Sequence, residues 1–182
     1  MFFRVADREP RHKNYSQIKL ILEGGNRMKL KEAQKLSEKI MEQIRPFCDR
    51  LVVAGSIRRK KSEVRDVDFV LIPKPLLWPR IVTTLQRNMD AKLLKHGEKA
   101  AQLTINGINV DLYSTNSKEW EALLLIRTGS AEHNIKLSIQ ARKMGMKLTH
   151  SGLSKDGKII ATTEKGIFEA LGIEFVPPEE RE

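Results

Sequence analysis

The chain has 182 residues, 40% of them hydrophobic, and a formal net charge of +10; that length suits one compact domain or two small lobes sharing a core. No apolar run approaches the ~18 residues of a membrane-crossing helix, the opening MFFRVADREPRHKNY has no apolar signal core, and the lone Cys48 excludes an internal disulfide and a cysteine-rich zinc site. The expected compartment is therefore a reducing cytoplasm, that of a cell or of a virus-infected host, and Cys48 reads as a small buried apolar residue.

The charge is lopsided. Residues 1–65 hold 17 Lys and Arg against 8 Asp and Glu, whereas residues 66–182 hold 16 against 15. A basic excess confined to one half suits a polyanion partner such as nucleic acid, nucleotide phosphates or an anionic membrane.

In chain order, residues 1–27 are polar, basic and weakly patterned, and read as an extension in which disorder is an option. From Lys29 to Phe47, Leu30, Ala33, Leu36, Ile40 and Ile44 recur at helical spacing. Arg45-Pro46 closes that helix. Leu51–Ala54 reads as a short buried strand. Gly55-Ser56 is a turn, with Ser56 placed to cap a short helix through Arg59. Asp66–Ile72 is a strand by its β-branched and aromatic content, broken by Pro73 and Pro75. Trp78–Met89 reads as a helix that Trp78 anchors. Two strands, Lys92–Lys95 and Gln102–Ile105, flank Gly97. Asn106-Gly107, between LTI and INVDLY, is the strongest hairpin signal in the chain. Lys118–Arg127 is helical, and Ser130 is placed to cap a helix from Ala131 to Met144. The remainder reads as a strand at Lys147–Thr149, a loop, a strand at Gly157–Ala161 and a helix at Thr163–Leu171.

The chemistry concentrates at Gly55–Pro75, GSIRRKKSEVRDVDFVLIPKP. Strand side chains alternate, so Asp66 and Asp68 share one face while Val67 and Phe69 share the other. Two neighbouring carboxylates on an interior strand repel unless a cation sits between them. An arginine, Arg65 or Arg59, would serve structurally; a divalent metal would serve chemically, and oxygen ligands suit Mg²⁺. Asp111 supplies a third carboxylate if its hairpin strand lies beside the first. Three such groups suffice to hold two Mg²⁺ ions for in-line displacement at phosphorus. The Gly55-Ser56 turn then offers close backbone approach, a hydroxyl and free N–H groups to a phosphate. Arg58 or Arg59 offers a bidentate donor pair. Nucleotidyl transfer accounts for these features together.

Gly55-Ser56-Ile57-Arg58-Arg59, Asp66-Val67-Asp68 and Asp111 resemble the X family of DNA polymerases. Arg127-Thr128-Gly129-Ser130-Ala131-Glu132-His133-Asn134 and the closing Gly166–Glu182 segment are similar to the same family, and the resemblance covers about 29–182 in order. It implies an α+β fold: a nucleotidyltransferase palm with a mixed sheet and flanking helices at 29–116, and a small C-terminal α+β nucleotide-selection lobe at 117–182, after a basic extension at 1–28. It implies a template-dependent DNA polymerase that fills short gaps in repair, working as a monomer on gapped or primer-template DNA with a dNTP and two Mg²⁺, or Mn²⁺, and not at a membrane. On this resemblance Asp66, Asp68 and Asp111 are the catalytic metal ligands, and Asp111 also helps activate the primer hydroxyl. Gly55, Ser56 and Arg59 hold the β- and γ-phosphates, Gly129 approaches the sugar, and Asn134 reads the base edge. Arg58, Arg65, Arg127, Thr128, Ser130 and His133 are secondary candidates.

Several departures carry expectations. About 28 residues precede the first palm helix, too few for the family's lyase domain, so no lyase activity is expected. Ile126-Arg127 stands where the family commonly has two aromatics against the sugar, which predicts weak discrimination against ribonucleotides. Arg65 replaces a glycine of the family's best-known member, and Ser138 replaces a template-supporting arginine, which predicts low fidelity. Two other readings remain open: a small-molecule or tRNA nucleotidyltransferase on the same palm, and a DNA-binding module without catalysis.

Overall fold

The computed structural model describes residues 27–182. Nearly all of the expected extension at 1–28 falls outside the described residues, but its last residue belongs to the fold. Met28 and Lys29 form a short strand, β1 (Met28–Lys29), paired antiparallel with β3 (Glu63–Val64), so that Met28 lies opposite Val64.

Helix α1 (Leu30–Ile44) buries Ala33, Ile40 and Ile44 of the expected stripe and also Ser37, while Leu30 and Leu36 are partly buried against the same core. Its Glu32 carboxylate accepts the Lys29 N–H at 3.2 Å, which satisfies one orphan donor of the first turn. Pro46 ends the helix in a 3₁₀ turn, Arg45–Phe47. The chain continues through β2 (Cys48–Val53), α2 (Gly55–Arg58), β4 (Asp66–Pro73), α3 (Trp78–Asn88), β5 (Lys92–His96), β6 (Ala100–Ile105) and β7 (Ile108–Ser114). Trp78 opens α3, and its indole N–H donates to the Gly97 carbonyl at 2.9 Å, an anchor rather than a free stacking surface. The Cys48 thiol is half-buried and donates to the Ile44 carbonyl; burial first, then Asp49, pushes its pKa up to about 11, so it is inert at neutral pH.

The five strands form one sheet in the order β2-β4-β7-β6-β5. Only the central β4–β7 pair is parallel. Asn106 and Gly107 both have positive φ, 51° and 79°, and join β6 to β7 in the tight turn their identities predict. On one sheet face Val67, Phe69 and Leu71 of β4 and Val110 and Leu112 of β7 pack beneath α1 and α3. Each large side chain buried there contributes roughly 1.5–3 kcal/mol. The other face changes character along β4. Its first half carries Asp66 and Asp68; its second half carries Val70, packed with Ala54 against Trp120, Leu123 and Leu124 of α4 (Trp120–Thr128).

Helix α4 is apolar on two sides. Its Ala122 and Leu125 belong to a second core with Leu137 and Ala141 of α5 (Ala131–Lys143), Leu153, and Ile167, Phe168 and Leu171 around α6 (Glu164–Ala170). A three-stranded antiparallel sheet, β8 (Met146–Thr149), β9 (Gly152–Lys155) and β10 (Lys158–Ala161), completes this lobe with β9 at its centre. Strand β9 replaces the expected loop: Gly152, Ser154 and Lys155 have little intrinsic strand preference, and pairing on both edges supplies what propensity does not. No helix among the described residues is long and apolar enough to cross a membrane.

Candidate active site

Parallel pairing of β4 with β7 sets Asp68 directly beside Asp111 and Asp66 beside Asn109. The three carboxylates therefore occupy adjacent positions at one end of one sheet face. Burial first, then the charges of Asp66 and Asp111, pushes the Asp68 pKa up to about 7, with Arg127 and Arg59 offsetting only part of the rise. The Asp111 pKa is also raised, by burial and then by Asp66, against hydrogen bonds from its cross-strand partner Gln102 and from Tyr113.

This is an acidic site short of positive charge. As the side chains lie, no group of three His, Cys, Asp or Glu among the described residues is gathered closely enough to hold a metal ion by itself. Three hard oxygen donors with an uncompensated charge nonetheless fit a divalent cation such as Mg²⁺.

Gly55 is required here for a reason the sequence did not disclose. Its φ is +56°, and a Cβ at this position would overlap the Asp68 carboxylate. In the structure the group lying against Gly55 is thus Asp68 itself. With Gly55 in a left-handed conformation, α2 starts two residues earlier than a Ser56 cap would place it, and Ala54 is the N-cap. Ser56 sits inside the four-residue helix with its hydroxyl buried and without a partner.

The two arginines of the turn diverge. An Arg59 N–H donates to the Thr128 carbonyl, while its Nε is buried without an acceptor. Arg58 is committed elsewhere. Its guanidinium donates to both Glu164 oxygens, at 2.6 and 3.2 Å, and to Thr128 Oγ1 at 2.6 Å. Glu164 also accepts from Arg181 at 3.1 Å. Arg181 is fully buried, lies near the faces of Phe168 and Phe175, and donates through Nε to the Val176 carbonyl. Burial alone would raise the Glu164 pKa, but the hydrogen bonds from Arg58 and Arg181 more than offset it and hold it below the usual range. This three-member cluster locks α2 to the start of α6 and to the C-terminal segment. Sequence reasoning missed Glu164 and Arg181 entirely, because a buried arginine inside PPEERE looks like one more solvated charge.

The α4–α5 corner closes the site. Ser130 caps α5 as expected, accepting the His133 N–H at 3.2 Å. Thr128 is buried and donates to the Leu124 carbonyl at 2.6 Å, so it is a structural tie between Arg58 and α4. The buried His133 ring lies 5.7 Å from that of Phe168. Gly129 has φ +72° and lies against Arg59. Asn134 donates from Nδ2 to the Ile126 carbonyl at 2.8 Å and leaves Oδ1 buried without a partner. Arg127 lies flat over the Tyr113 ring at 3.7 Å, two residues along β7 from Asp111. A cleft of about 300 Å³ brings Gly55, Ser56, Arg59, Asp66 and Asp68 together with Arg127, Gly129 and Asn134. Arg65 is exposed and lies outside that cleft, in a second one that adjoins it.

Comparison with known proteins points to polymerases. Residues 123–182 match the family model described as the DNA polymerase beta thumb. The repair DNA polymerase X of African swine fever virus is 25% identical over 147 residues, a match covering 76% of this chain and 84% of the viral protein. The chain is similar to DNA polymerases of the X family. DNA polymerase lambda of Rattus norvegicus is 27% identical over 86% of this chain and 33% of its own length. The DNA polymerase/3′-5′ exonuclease PolX of Bacillus subtilis is 23% identical over 82% of this chain and 28% of its own. Leishmania infantum polymerase beta, in a ternary complex, superposes with a TM-score of 0.78 at 19% identity, covering 91% of this chain and 80% of that one. That likeness is one of fold.

Proposed function

We propose that this protein is a template-dependent DNA polymerase that adds a dNMP to a primer 3′-hydroxyl and fills short gaps during DNA repair. The observation that carries the proposal is the pairing of Asp68 with Asp111 in register, with Asp66 in the same cleft as Ser56, Arg59 and Asn134. The family's relatives named repair DNA polymerase X and DNA polymerase lambda support the same activity.

In the reaction the primer O3′ bonds to the α-phosphorus while the bond from that phosphorus to pyrophosphate breaks. Asp66, Asp68 and Asp111 would hold a pair of Mg²⁺ ions, whose chemistry is to acidify the attacking hydroxyl and neutralise charge on the triphosphate. Asp111, partly desolvated and facing Gln102, would accept a hydrogen bond from that hydroxyl. The unpartnered Ser56 hydroxyl and the Arg59 guanidinium bind phosphate oxygens. Gly129 leaves room for the sugar. Asn134 keeps one Nδ2–H and its Oδ1 free for a base edge after bonding Ile126. Duplex binding rests mainly on phosphate contacts and is therefore salt-sensitive.

Primer extension on a gapped duplex, with each dNTP in turn and Mg²⁺ or Mn²⁺, tests the reading. The expected product is one correct nucleotide dictated by the template base. Addition without a template, or only to tRNA or a small molecule, supports the transferase alternative; tight binding with no product under either metal supports the DNA-binding module.

A further inference from the structure

One cation of the carboxylate cleft is held by a ring face alone. Arg127 is exposed and lies over Tyr113 at 3.7 Å, and no hydrogen bond or ion pair joins it to another described residue. It belongs to α4, whereas Tyr113 belongs to β7, two residues beyond Asp111 and on the same sheet face. The stacked pair is a wall between two clefts. On one side lies the cleft with Asp66 and Asp68; on the other lies one of about 250 Å³ whose lining includes Lys99 and Glu119.

The position gives Arg127 an electrostatic part. It opposes the rise in the Asp68 pKa more than Arg59 does, and it is the cation that opposes the rise at Asp111. Arg59 is tied to the Thr128 carbonyl and stays with the α2 turn. A guanidinium over a ring is attracted by the negative face of the π-system and keeps its N–H groups free. Here that attraction parks a positive charge beside three acids without committing it to any one of them. A divalent ion entering the same cleft meets Arg127 as a like charge, in surroundings less polar than water, where repulsion is stronger.

We propose that Arg127, parked on Tyr113, is the resident counter-cation of Asp66, Asp68 and Asp111, and that it sets how readily the ligand-free protein takes up a divalent metal. The inference rests on the metal-binding part of the nucleotidyl-transfer reading. While the guanidinium stays on the ring it eases the repulsion among the acids and resists the metal. The protein thereby tolerates its acid cluster when no metal is bound, and it loads metal only at a higher concentration than the same three carboxylates would need alone. Arg127 acts through the acids, so it is a positioning residue and not a catalytic one.

Titration of the full chain with Mn²⁺, without DNA or nucleotide and with the free ion counted by electron paramagnetic resonance, tests the counter-cation directly. Arg127→Gln is expected to bind Mn²⁺ about tenfold more tightly than wild type, because a like charge has left the cleft. Arg127→Lys keeps the charge and should stay within about threefold of wild type. Lys99→Gln removes an equal charge from the adjoining cleft and should change the affinity by less than about twofold. Asp68→Asn should lose most of the binding, which places the counted ion at the acids. In primer extension the Mg²⁺ concentration for half-maximal rate should fall in Arg127→Gln by a factor similar to its gain in Mn²⁺ affinity.

Equal or weaker Mn²⁺ binding by R127Q overturns the inference and leaves the metal site standing. So does an equal gain in Lys99→Gln, which would report the field of the whole protein and not Arg127. If neither wild type nor R127Q takes up Mn²⁺, the metal-binding reading fails and the inference falls with it. A gain in Mn²⁺ affinity in a protein that extends no primer keeps the counter-cation and sinks the polymerase reading.

Discussion

Two clusters of charge flank the α2 turn, and they are built in opposite ways. On one side Asp66, Asp68 and Asp111 crowd one end of a sheet face, and the Asp68 pKa is driven up to about 7. On the other side Glu164 lies between Arg58 and Arg181, and its pKa is held down. The first cluster lacks charge that something else must bring. The second is closed on itself, with both guanidiniums directed at one carboxylate. The difference separates acids whose charge the fold leaves uncompensated from an acid the fold pairs on both sides, although both clusters adjoin the same four-residue helix.

Breaking the first cluster should produce the largest functional effect. Asp111→Ala is expected to lower primer extension by ~10³-fold or more, the scale seen when a preorganised transition-state contact is lost. Duplex binding, read by fluorescence anisotropy, should change by less than about twofold. Stability should move the other way. Asp68→Asn removes one of three repelling charges, so in metal-free buffer the variant should unfold at higher urea, by on the order of 1 kcal/mol. An Asp68→Asn protein that is clearly less stable than wild type would mean that the acids are compensated after all.

The second cluster should respond in the opposite sense. Glu164→Ala leaves the buried Arg181 and the partly buried Arg58 without their carboxylate, and the expected loss is about 3–5 kcal/mol in equilibrium urea unfolding. Activity should fall with the folded fraction and with disorder of the α2 turn. If Glu164→Ala unfolds at the wild-type midpoint, the contrast between the clusters fails.

Gly55 couples the two, because α2 begins there and Asp68 lies against it. Gly55→Ala must place a methyl group where the Asp68 carboxylate sits, at a φ of +56°. A stability cost of roughly 1–3 kcal/mol is expected from the backbone conformation and the displacement. Extension should fall far more than stability, since the displaced group is a proposed metal ligand. Proportionate losses in both would reduce Gly55 to a folding residue.

The contrast also explains what the sequence disclosed. Asp66 and Asp68 sharing a face follows from a period of two, and the Asn106-Gly107 turn follows from its residues, so both were legible. The register that sets Asp68 beside Asp111 was legible only as a condition, because parallel strands about 40 residues apart carry no local signal of their pairing. Ser56 was misread as a cap because α2 already begins at Gly55, with its positive φ, two residues before a Ser56 cap would start it. The closed cluster was invisible: Arg58, Glu164 and Arg181 are brought together by lobe packing, and in sequence each looks like an ordinary surface charge. Arg58 consequently looked like a phosphate ligand equal to Arg59, whereas its donors are spent on Glu164 and Thr128.

The smallest expected effect comes from His133, which lies beside the closed cluster and sharpens its boundary. Burial, then the charges of Arg181 and Lys136, lowers its pKa from 6.5 to about 4, with Glu164 opposing. The folded protein thus holds a neutral imidazole where the unfolded chain takes up a proton. At this group the unfolded state binds more protons between pH 6.5 and 4, so its contribution to stability falls as the pH falls through that window and levels off below it. The depressed pKa of Glu164 acts in the same direction but only below its ordinary value of 4.5, whereas the raised pKa values of Asp68, about 7, and of Asp111 act in the opposite direction, because there the folded state holds the extra protons. The His133 contribution is therefore read as a difference between two proteins: relative to wild type, His133→Gln should gain on the order of 1 kcal/mol in urea unfolding between pH 7 and pH 5. The carboxyl contributions are common to both proteins and cancel in that comparison. If the variant keeps the wild-type slope, the proton is taken up elsewhere, and the cluster around Arg181 accepts an additional cation more readily than its closed pairing implies.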